Sequence, residues 1–287
     1  MKIPVRRIIL KLRHGYRTEK TAESVLTAGC QERREVRYVS VKKTLFIAIL
    51  AVTAFFAFSI VIENKFYRTS KCNVIMYHLI DDDAPTEGEY LYVRPSEFDF
   101  QLSCIGKMGV ETVFAEEINE PSAKRRVAIT LDDGYKDNYT EMFPILKKYG
   151  MKATIFIISD YIGKDGYMNE EEIKEMSESG LVSFQSHTCS HTDMIECDEE
   201  ELFHEFYDSK SEIERITGKR VTCLAYPRGV YGKREIEAAK ACGYKMAFTT
   251  EKPNVFLSYE SFRVPRNLAW RGMNTSQFLR IFGSCFS

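Results

Sequence analysis

The sequence lacks the features that mark several broad classes of protein. Its 287 residues contain no internal repeat and no low-complexity tract, which excludes a repeat array or a compositionally biased filament. The net charge is −1, so the chain as a whole has no positive excess for binding nucleic acid. Only five histidines and one tryptophan occur, and no histidine follows His204. Histidine chemistry is therefore confined to the part of the chain that ends at that residue.

The eight cysteines do not indicate a disulfide framework. Their spacings are scattered, and the seven that follow Cys30 are an odd number, so we infer no set of pairs. Cys223 lies in a strand-like run and Cys242 near a helix end, where a small apolar side chain suits the core. Cys189 lies between two histidines, and we expect it to point to the other side of their turn.

Charge is distributed unevenly along the chain. Residues 1–43 carry twelve Lys and Arg against four Glu, and the remainder is correspondingly acidic. The following segment, 44–62, has no charged residue over 19 positions, which at about 1.5 Å per residue would span a bilayer core of about 30 Å. We predict a basic cytoplasmic segment at 1–43, a single-pass anchor at 44–62, a linker at 63–71 and an extracellular domain at 72–287.

The N-terminal part allows one alternative topology and two roles for its basic segment. A cleaved signal peptide is the main rival to the anchor, but the region before it is long for a signal peptide and no A-x-A-like site follows Ile62. Lys42 and Lys43 on the N-terminal flank favour a cytoplasmic N-terminus. The basic segment either acts as a topology signal or contacts anionic lipid on the inner leaflet.

The chain after residue 72 alternates between apolar, strand-like runs and amphipathic, helix-like ones. Such a βαβ rhythm predicts an α/β domain with a parallel sheet. We expect strands at 73–80, 110–114, 127–131, 152–158, 181–185, 221–226, 244–249 and 261–265. Helices are expected at 95–108, 138–149, 169–179, 198–217 and 231–242.

One of these strands ends in two adjacent carboxylates. Val127–Leu131 is an apolar run followed directly by Asp132, Asp133 and Gly134. In parallel sheets the carboxyl ends of the strands are where catalytic groups gather. Neighbouring carboxylates repel each other unless a cation, often a metal, lies close by. The pattern therefore directs the search to metal ligands elsewhere in the chain.

Two histidines follow another predicted strand. His187 and His191 form an H-x-x-x-H pattern, and two histidines four apart on one face of a helical turn can share a metal. Two imidazoles and one carboxylate leave a coordination position open, as catalytic sites do, and the second carboxylate is free to act as a base. The competing interpretation makes Asp132 and Asp133 part of a turn and the histidines part of a loop. The occurrence of both motifs after strands favours a metal site.

TLDDG followed by SHTCSH resembles the polysaccharide deacetylase family, also called NodB-homology proteins or family 4 carbohydrate esterases. The resemblance covers roughly residue 72 to the C-terminus. It implies a distorted (β/α) barrel of about seven strands and the removal of acetyl groups from sugar polymers. It also implies that Asp132 is the general base and that Asp133, His187 and His191 bind a divalent metal, usually zinc, with cobalt or nickel as alternatives.

Further roles follow from the same resemblance. In Tyr226-Pro227-Arg228-Gly229, the position of Arg228 is that of a backbone N–H that stabilises the oxyanion, although Pro-x-Gly also suits a plain turn. Tyr135, Tyr226 and Pro227 are expected to line the substrate groove. Trp270 is expected either to stack on a sugar ring or to pack at the rim.

The sequence departs from the family pattern at two positions. The arginine that orients the base in many members is replaced by Ala225, so either Arg228 substitutes for it or the base is held differently. The C-terminal Leu-x-His that supplies the general acid is missing. His78, at the end of the first strand, is a candidate replacement, as are a metal-bound water and the substrate itself. The first strand ends in Tyr77-His78, and this ending resembles the subgroup of the family that acts on poly-N-acetylglucosamine.

These observations predict a metal-dependent, membrane-anchored enzyme that deacetylates an extracellular polysaccharide containing N-acetylglucosamine. Poly-N-acetylglucosamine and peptidoglycan are both plausible substrates, and the oligomeric state is open. A carbohydrate O-acetyl esterase with the same site is one alternative. A surface glycan-binding protein with an impaired site is another, suggested by Ala225 and the missing histidine.

Overall fold

The computed structural model describes residues 46, 48–53, 72–85, 88–253 and 260–283. The chain divides into two compact units, Met1–Phe66 and Tyr67–Ser287. In the first unit the described residues are helical. Within the described part of the chain, no helix is both long enough and apolar enough to cross a membrane. The predicted segments 1–43 and 63–71 and most of 44–62 lie outside the described residues, so the predicted membrane topology and domain limits remain predictions.

The second unit is built on a curled parallel sheet. The strands are β1 Asn73–Tyr77, β2 Leu79–Ile80, β3 Tyr92–Val93, β4 Glu111–Val113, β5 Arg126–Leu131, β6 Ala153–Ile157, β7 Val182–Ser186, β8 Cys223–Ala225, β9 Met246–Phe248 and β10 Asn267–Leu268. Seven of them form one hydrogen-bonded path in the order β10-β1-β5-β6-β7-β8-β9, and β4 pairs with β5 beside this path. β2 and β3 form a separate parallel pair. The described residues thus form the incomplete barrel expected from the sequence.

Six α-helices accompany the sheet in the second unit among the described residues. They are α1 Pro95–Lys107, α2 Phe143–Tyr149, α3 Glu170–Glu178, α4 Glu199–Thr217, α5 Lys233–Ala241 and α6 Thr275–Gly283. Their ends follow ordinary capping chemistry. Asp198 accepts hydrogen bonds from the backbone N–H groups of Glu200 and Glu201 at the start of α4, and Gly218 ends that helix in a left-handed conformation.

The alternation of side chains along the strands places two hydrophobic clusters on opposite faces of the sheet. Successive side chains of a strand point to opposite faces of the sheet. Ile129 and Leu131 of β5 belong to the larger core, which also contains the apolar faces of the helices, whereas Ala128 belongs to a smaller cluster with Phe156 and Ala225. This smaller cluster fills the inside of the curled sheet. Asp132 shares the parity of Ala128, so its side chain enters the inner face.

The end of the sheet differs from the expected strand at 261–265. Only Val264 makes a bridge there, to Phe248 of β9, and the next segment, β10, pairs with β1 through Asn267. Pro265 has no N–H to continue a ladder. The chain therefore passes from one edge of the sheet to the other within a few residues, and Arg266 lies at the crossing. This narrow connection partly closes the barrel.

Two helices also differ from the sequence prediction. The helix expected at 138–149 begins as a π-helix, Asn138–Met142, and continues as α2. The helix expected at 231–242 begins at Lys233, after Gly232 as its N-cap residue. Neither difference moves a candidate site residue.

Candidate active site

Asp132 is clamped by a buried arginine. Arg266 Nη1 donates to Asp132 Oδ1 at 2.6 Å, and Arg266 Nη2 donates to Asp132 Oδ2 at 2.7 Å. Arg266 is 1% exposed and Asp132 is 2% exposed. Burial alone would raise the pKa of Asp132, but the charge of Arg266, with His187 and His78, holds it well below its usual range. Asp132 is therefore ionised throughout the physiological pH range.

Arg266 was not singled out in the sequence, and neither Ala225 nor Arg228 takes its place. Its Nε donates to the Thr249 carbonyl at 3.0 Å, which fixes the guanidinium in one orientation. Of the two alternatives that Ala225 left open, the second therefore holds: the carboxylate is held differently, by Arg266 and not by Arg228. The sequence offers little sign of this role. Arg266 directly precedes the short strand β10, and its contact with Asp132 depends on where this segment crosses the barrel.

Asp133 leaves the strand direction because its backbone is left-handed, with φ 73°. Without this turn, strand parity would direct its side chain toward the helices, whereas here it faces the two histidines. Gly134 follows with φ 83°, and a Cβ at that position would lie 3.1 Å from Ile157 Cγ2. The tight DDG turn therefore requires glycine at its third position and delivers both carboxylates to the same end of the sheet.

His187 and His191 converge on Asp133. The distance from Asp133 Oδ1 is 3.4 Å to His187 Nε2 and 3.6 Å to His191 Nε2. His187 Nδ1 lies 2.8 Å from the Ala225 carbonyl, which can only accept, so Nδ1 carries the proton and Nε2 presents a lone pair. The prediction that these histidines share a helical turn is wrong. Residues 187–191 form an irregular turn with left-handed backbone at Thr188 and His191, and this turn brings both rings to one side.

The three side chains fit a divalent metal. Their ligand atoms all lie within 4.8 Å of one another. Two ligands of a tetrahedral zinc lie about 3.3 Å apart, given bonds of about 2.0–2.1 Å, and the two measured distances are close to this value. Burial lowers the pKa of His187 and of His191, which keeps both rings neutral as ligands must be. Burial raises the pKa of Asp133, and the nearby charges of His78 and His191 counteract this shift.

His78 is a second side chain beside Asp132 that can carry a positive charge. Its Nε2 is 3.9 Å from Asp132 Oδ2, and its buried Nδ1 has no hydrogen-bond partner among the described residues. Burial lowers the pKa of His78, against the charges of Asp132 and Asp133, which raise it. Its carbonyl accepts from Asn138 Nδ2 at 3.1 Å, which holds the end of β1 in place. The structure thus brings His78 into the same site as the DDG and H-x-x-x-H motifs.

The Pro227–Gly229 turn lies beyond β8. Arg228 has a left-handed backbone, φ 56°, and its carbonyl accepts from Thr250 Oγ1 at 3.3 Å. A Cβ on Gly229 would lie 2.1 Å from Thr250 Oγ1 and 2.8 Å from the Thr250 backbone nitrogen, so only glycine fits. These contacts fix the Arg228–Gly229 peptide, which directly follows the peptide whose N–H was expected to face the oxyanion. The Arg228 guanidinium also contributes to the lowered pKa of His191, after burial and His187.

The predicted substrate-binding residues fall in different environments. The Tyr135 hydroxyl interacts with Asp133, and its ring stacks on Tyr167 at 5.1 Å between centroids, so it lies at the site. Tyr226 is fully buried and stacks on Tyr231, and Pro227 is buried as well. The prediction that these two residues bind the sugar directly is wrong. Both are buried, and they pack in the core beneath the Pro227–Gly229 turn. Trp270 is half-buried against the larger core.

Comparison with known proteins gives the same assignment. The family described as polysaccharide deacetylase matches residues 119–247. YxkH of Bacillus subtilis (strain 168), which carries this family name, is 34% identical over 221 residues, covering 75% of this chain and 77% of YxkH. This chain belongs to the polysaccharide deacetylase family. It is accordingly an enzyme, a hydrolase acting on carbon–nitrogen bonds.

Other deacetylases resemble the chain at lower identity. A poly-β-1,6-N-acetyl-D-glucosamine N-deacetylase of Staphylococcus aureus (strain MSSA476) is 24% identical over 222 residues, covering 71% of this chain and 77% of that protein. The crystal structure of the polysaccharide deacetylase BC0361 from Bacillus cereus has a TM-score of 0.67 at 29% identity, covering 74% of this chain and 68% of that one. The Streptococcus pyogenes deacetylase PplD, solved with acetate, has a TM-score of 0.69 at 29% identity, covering 74% and 97%.

Proposed function

We propose that this deacetylase hydrolyses N-acetyl groups of an extracellular polysaccharide containing N-acetylglucosamine, with a divalent metal bound by Asp133, His187 and His191. The observation that carries this proposal is the convergence of those three side chains beside the clamped carboxylate of Asp132. The substrate is poly-N-acetylglucosamine or peptidoglycan. Similarity to the Staphylococcus aureus enzyme, named for poly-β-1,6-N-acetyl-D-glucosamine, supports the first slightly more.

The chemistry divides among four groups. A divalent cation, zinc being the expected one, would supply Lewis-acid polarisation of the acetyl carbonyl. Asp132 accepts the proton of the attacking water, and each carboxylate oxygen keeps a lone pair for this after bonding Arg266. The Arg228 N–H stabilises the oxyanion of the tetrahedral intermediate. As the C–N bond breaks, the proton that Asp132 took from the water passes through His78, whose Nε2 lies 3.9 Å from Asp132 Oδ2, to the leaving amine, and acetate is released.

The proposed location rests on the N-terminal sequence. An uncharged segment at 44–62 behind a basic segment at 1–43 supports a single-pass anchor with the catalytic unit outside the cell. An enzyme anchored in this way would act on polymers at the cell surface. Tagging the C-terminus of the full chain and exposing intact cells to protease tests this directly. A tag that stays protected while an extracellular control is cut would contradict the topology.

Acetate release from defined polymers tests the function. We would incubate the full-length protein, purified in mild detergent, with chitooligosaccharide, poly-N-acetylglucosamine, peptidoglycan fragments and an O-acetylated xylan oligomer. Each reaction would contain zinc, cobalt or a chelator. We expect chelator-sensitive release from a glucosamine polymer. Release from xylan alone would indicate an O-acetyl esterase, and binding of oligosaccharide without acetate release would indicate a glycan-binding protein.

The assignment of the base is tested by Asp132→Asn. Turnover should be abolished, because the amide cannot accept the proton, while the zinc content stays that of the wild type. Asp133→Asn should instead lose bound zinc as well as activity. Wild-type rates in the Asp132→Asn variant would show that another group is the base.

A further inference from the structure

The turn that carries both histidines is held from one side by helix α4. Glu205 and Ser209 lie one helical turn apart on α4 and both reach the segment 186–191. Residues four apart share one face of a helix, so the two contacts act as a pair. This face of α4 thus contacts the backbone segment that carries His187 and His191.

Glu205 makes the more extensive contact. Its Oε2 accepts hydrogen bonds from the backbone N–H groups of Cys189 at 2.8 Å and Ser190 at 2.9 Å. Its Oε1 accepts from Ser190 Oγ at 2.5 Å. Glu205 is 6% exposed, and a buried carboxylate requires such donors. The two residues that it binds lie between the histidines in sequence, so the contact sets the spacing of the two rings.

Ser209 adds a second contact one turn further along α4. Its hydroxyl lies 2.9 Å from Ser186 Oγ, and Ser186 Oγ accepts from the Thr188 N–H at 3.1 Å. Thr188 Oγ1 in turn accepts from the His191 N–H at 3.1 Å. A chain of hydrogen bonds therefore runs from α4 to the backbone of the second histidine.

The backbone of the turn needs this support. Thr188 has φ 68° and His191 has φ 60°, a left-handed conformation that costs free energy for residues with a side chain, and most for a β-branched one. Strained conformations of this kind persist only where their surroundings determine them fully. Without the contacts from α4, the turn would relax, and the two imidazoles would no longer face Asp133 together.

We propose that Glu205 is a positioning residue that fixes the His187–His191 turn in its ligand geometry before a metal binds, with Ser209 as its partner. Glu205 touches neither the histidine rings nor Asp133, so it acts through the backbone. The inference rests on the proposed function to the extent that the turn binds a metal. It goes beyond that function by assigning metal affinity in part to a carboxylate on a helix outside the site.

The chain offers a matched control on the same helix. Glu214 also accepts a backbone N–H from a following loop, that of Val221 at 2.9 Å, but contacts nothing in the histidine turn. Glu205→Ala and Glu214→Ala each remove from α4 a carboxylate that accepts backbone N–H groups, two in the case of Glu205 and one in the case of Glu214. Only the first removes hydrogen bonds to the turn that carries the two histidines. Glu205→Gln is a conservative variant, because an amide oxygen can still accept the two N–H groups.

The first measurement is amide hydrogen exchange of the metal-free, full-length protein. In Glu205→Ala we expect exchange at Cys189 and Ser190 to accelerate by about tenfold or more, with a smaller increase in Glu205→Gln. Glu214→Ala should leave these amides unchanged and accelerate Val221. If Glu205→Ala does not fold, the exchange rates of Cys189 and Ser190 in Glu205→Gln alone test the proposal. Exchange at both amides within about twofold of the wild type in the folded Glu205 variants would overturn the proposal.

The second measurement is zinc affinity, by competition with a chelating dye. Loss of a group that orients metal ligands typically weakens affinity by about 10- to 100-fold, and we expect this range for Glu205→Ala and a smaller loss for Glu205→Gln. Equal affinity in wild type and both Glu205 variants would overturn the proposal. A wild-type protein that binds no zinc would count against the proposed metal site, and the exchange measurement would still decide whether Glu205 holds the turn.

Discussion

Arg266 and Asp132 form a buried, two-point ion pair across 134 residues of sequence, with N–O distances of 2.6 and 2.7 Å. The planar guanidinium matches both carboxylate oxygens at once and therefore fixes the orientation of the carboxylate as well as its charge. Breaking one side of such a pair leaves an uncompensated buried charge, which costs about 3–5 kcal/mol. The pair thus serves stability and the proposed base together.

Replacing Arg266 with lysine separates the effect of its positive charge from the effect of its two hydrogen bonds on the orientation of Asp132. Lysine keeps a positive charge but cannot make two parallel hydrogen bonds, so we expect kcat to fall by about 10- to 100-fold while the protein still folds. Arg266→Met should also lower the free energy of unfolding by about 3–5 kcal/mol. Arg263→Lys, an exposed position on the same segment, is the control. Unchanged kcat in Arg266→Lys would mean that the orientation of Asp132 does not limit the reaction.

His78→Gln tests the proposed general acid through the leaving group. An amine must be protonated as it leaves, whereas the phenolate of an aryl acetate leaves without a proton. We expect N-deacetylation to slow by about 10²- to 10⁴-fold and hydrolysis of 4-nitrophenyl acetate to change little. His204→Gln, at an exposed position, should alter neither rate. Equal losses on both substrates would assign His78 to structure or metal binding instead.

Gly229→Ala tests the packing of the turn that carries Arg228. Alanine there would clash with Thr250 and would also adopt an unfavourable left-handed backbone, φ 71°. Gly218→Ala has a similar φ of 65° with no atom within 4 Å of the new Cβ, so it isolates the backbone cost of about 1–2 kcal/mol. We expect Gly229→Ala to lose more stability than this, together with activity. The comparison uses urea unfolding and acetate release, and equal unfolding free energies would refute the clash.

Stability of the metal-free protein should fall in mild acid. Burial lowers the pKa of His187 in the folded state below its unfolded value of about 6.5. The unfolded chain then binds more protons below about pH 6.5, so the free energy of unfolding decreases as pH falls. His78 and His191 shift in the same direction, whereas the raised pKa of Asp133 acts oppositely.

Urea unfolding with chelator at several pH values between 5 and 7.5 measures this dependence. His187→Gln removes one of the titrating groups and should flatten the pH dependence, while His204→Gln should leave it as in the wild type. The Asp132 contribution has the same sign at lower pH. Its stabilisation is present above the unfolded pKa of about 3.9 and is lost as pH falls toward the depressed folded value. Wild-type stability that does not change between pH 7.5 and 5 would contradict the direction of the histidine shifts.

Much of the site could be predicted from local pattern. The apolar run Val127–Leu131 predicts a buried strand, and the two residues that follow such a strand reach the carboxyl edge of a parallel sheet. The same reasoning places His187 directly after β7. Both predictions depend only on neighbouring residues, and the fold confirms both strands. The orientation of Asp132 toward the inside also follows from strand parity.

Other features were decided by tertiary structure. The left-handed turns at Asp133, Thr188 and His191 carry no glycine, and the modest preference of Asp and His for this conformation is too weak to predict them from the sequence. Contacts between distant segments impose these conformations, as Glu205 does for the histidine turn. The assignment of Arg266 likewise required knowing that the segment after Val264 crosses from β9 to β1.

The sequence by itself predicted the strands in their order along the chain and the two motifs that supply the three metal-ligand candidates and the proposed base, because strands follow from periodicity and the motifs from residue type. Only the tertiary structure decided which arginine clamps Asp132, that His78 reaches the same site, and that Tyr226 supports the turn from within the core. The first two are contacts between residues far apart in the chain, and the third depends on a core that is built from the whole sheet. Such contacts depend on how the sheet curls and closes, and this is a property of the packed molecule as a whole.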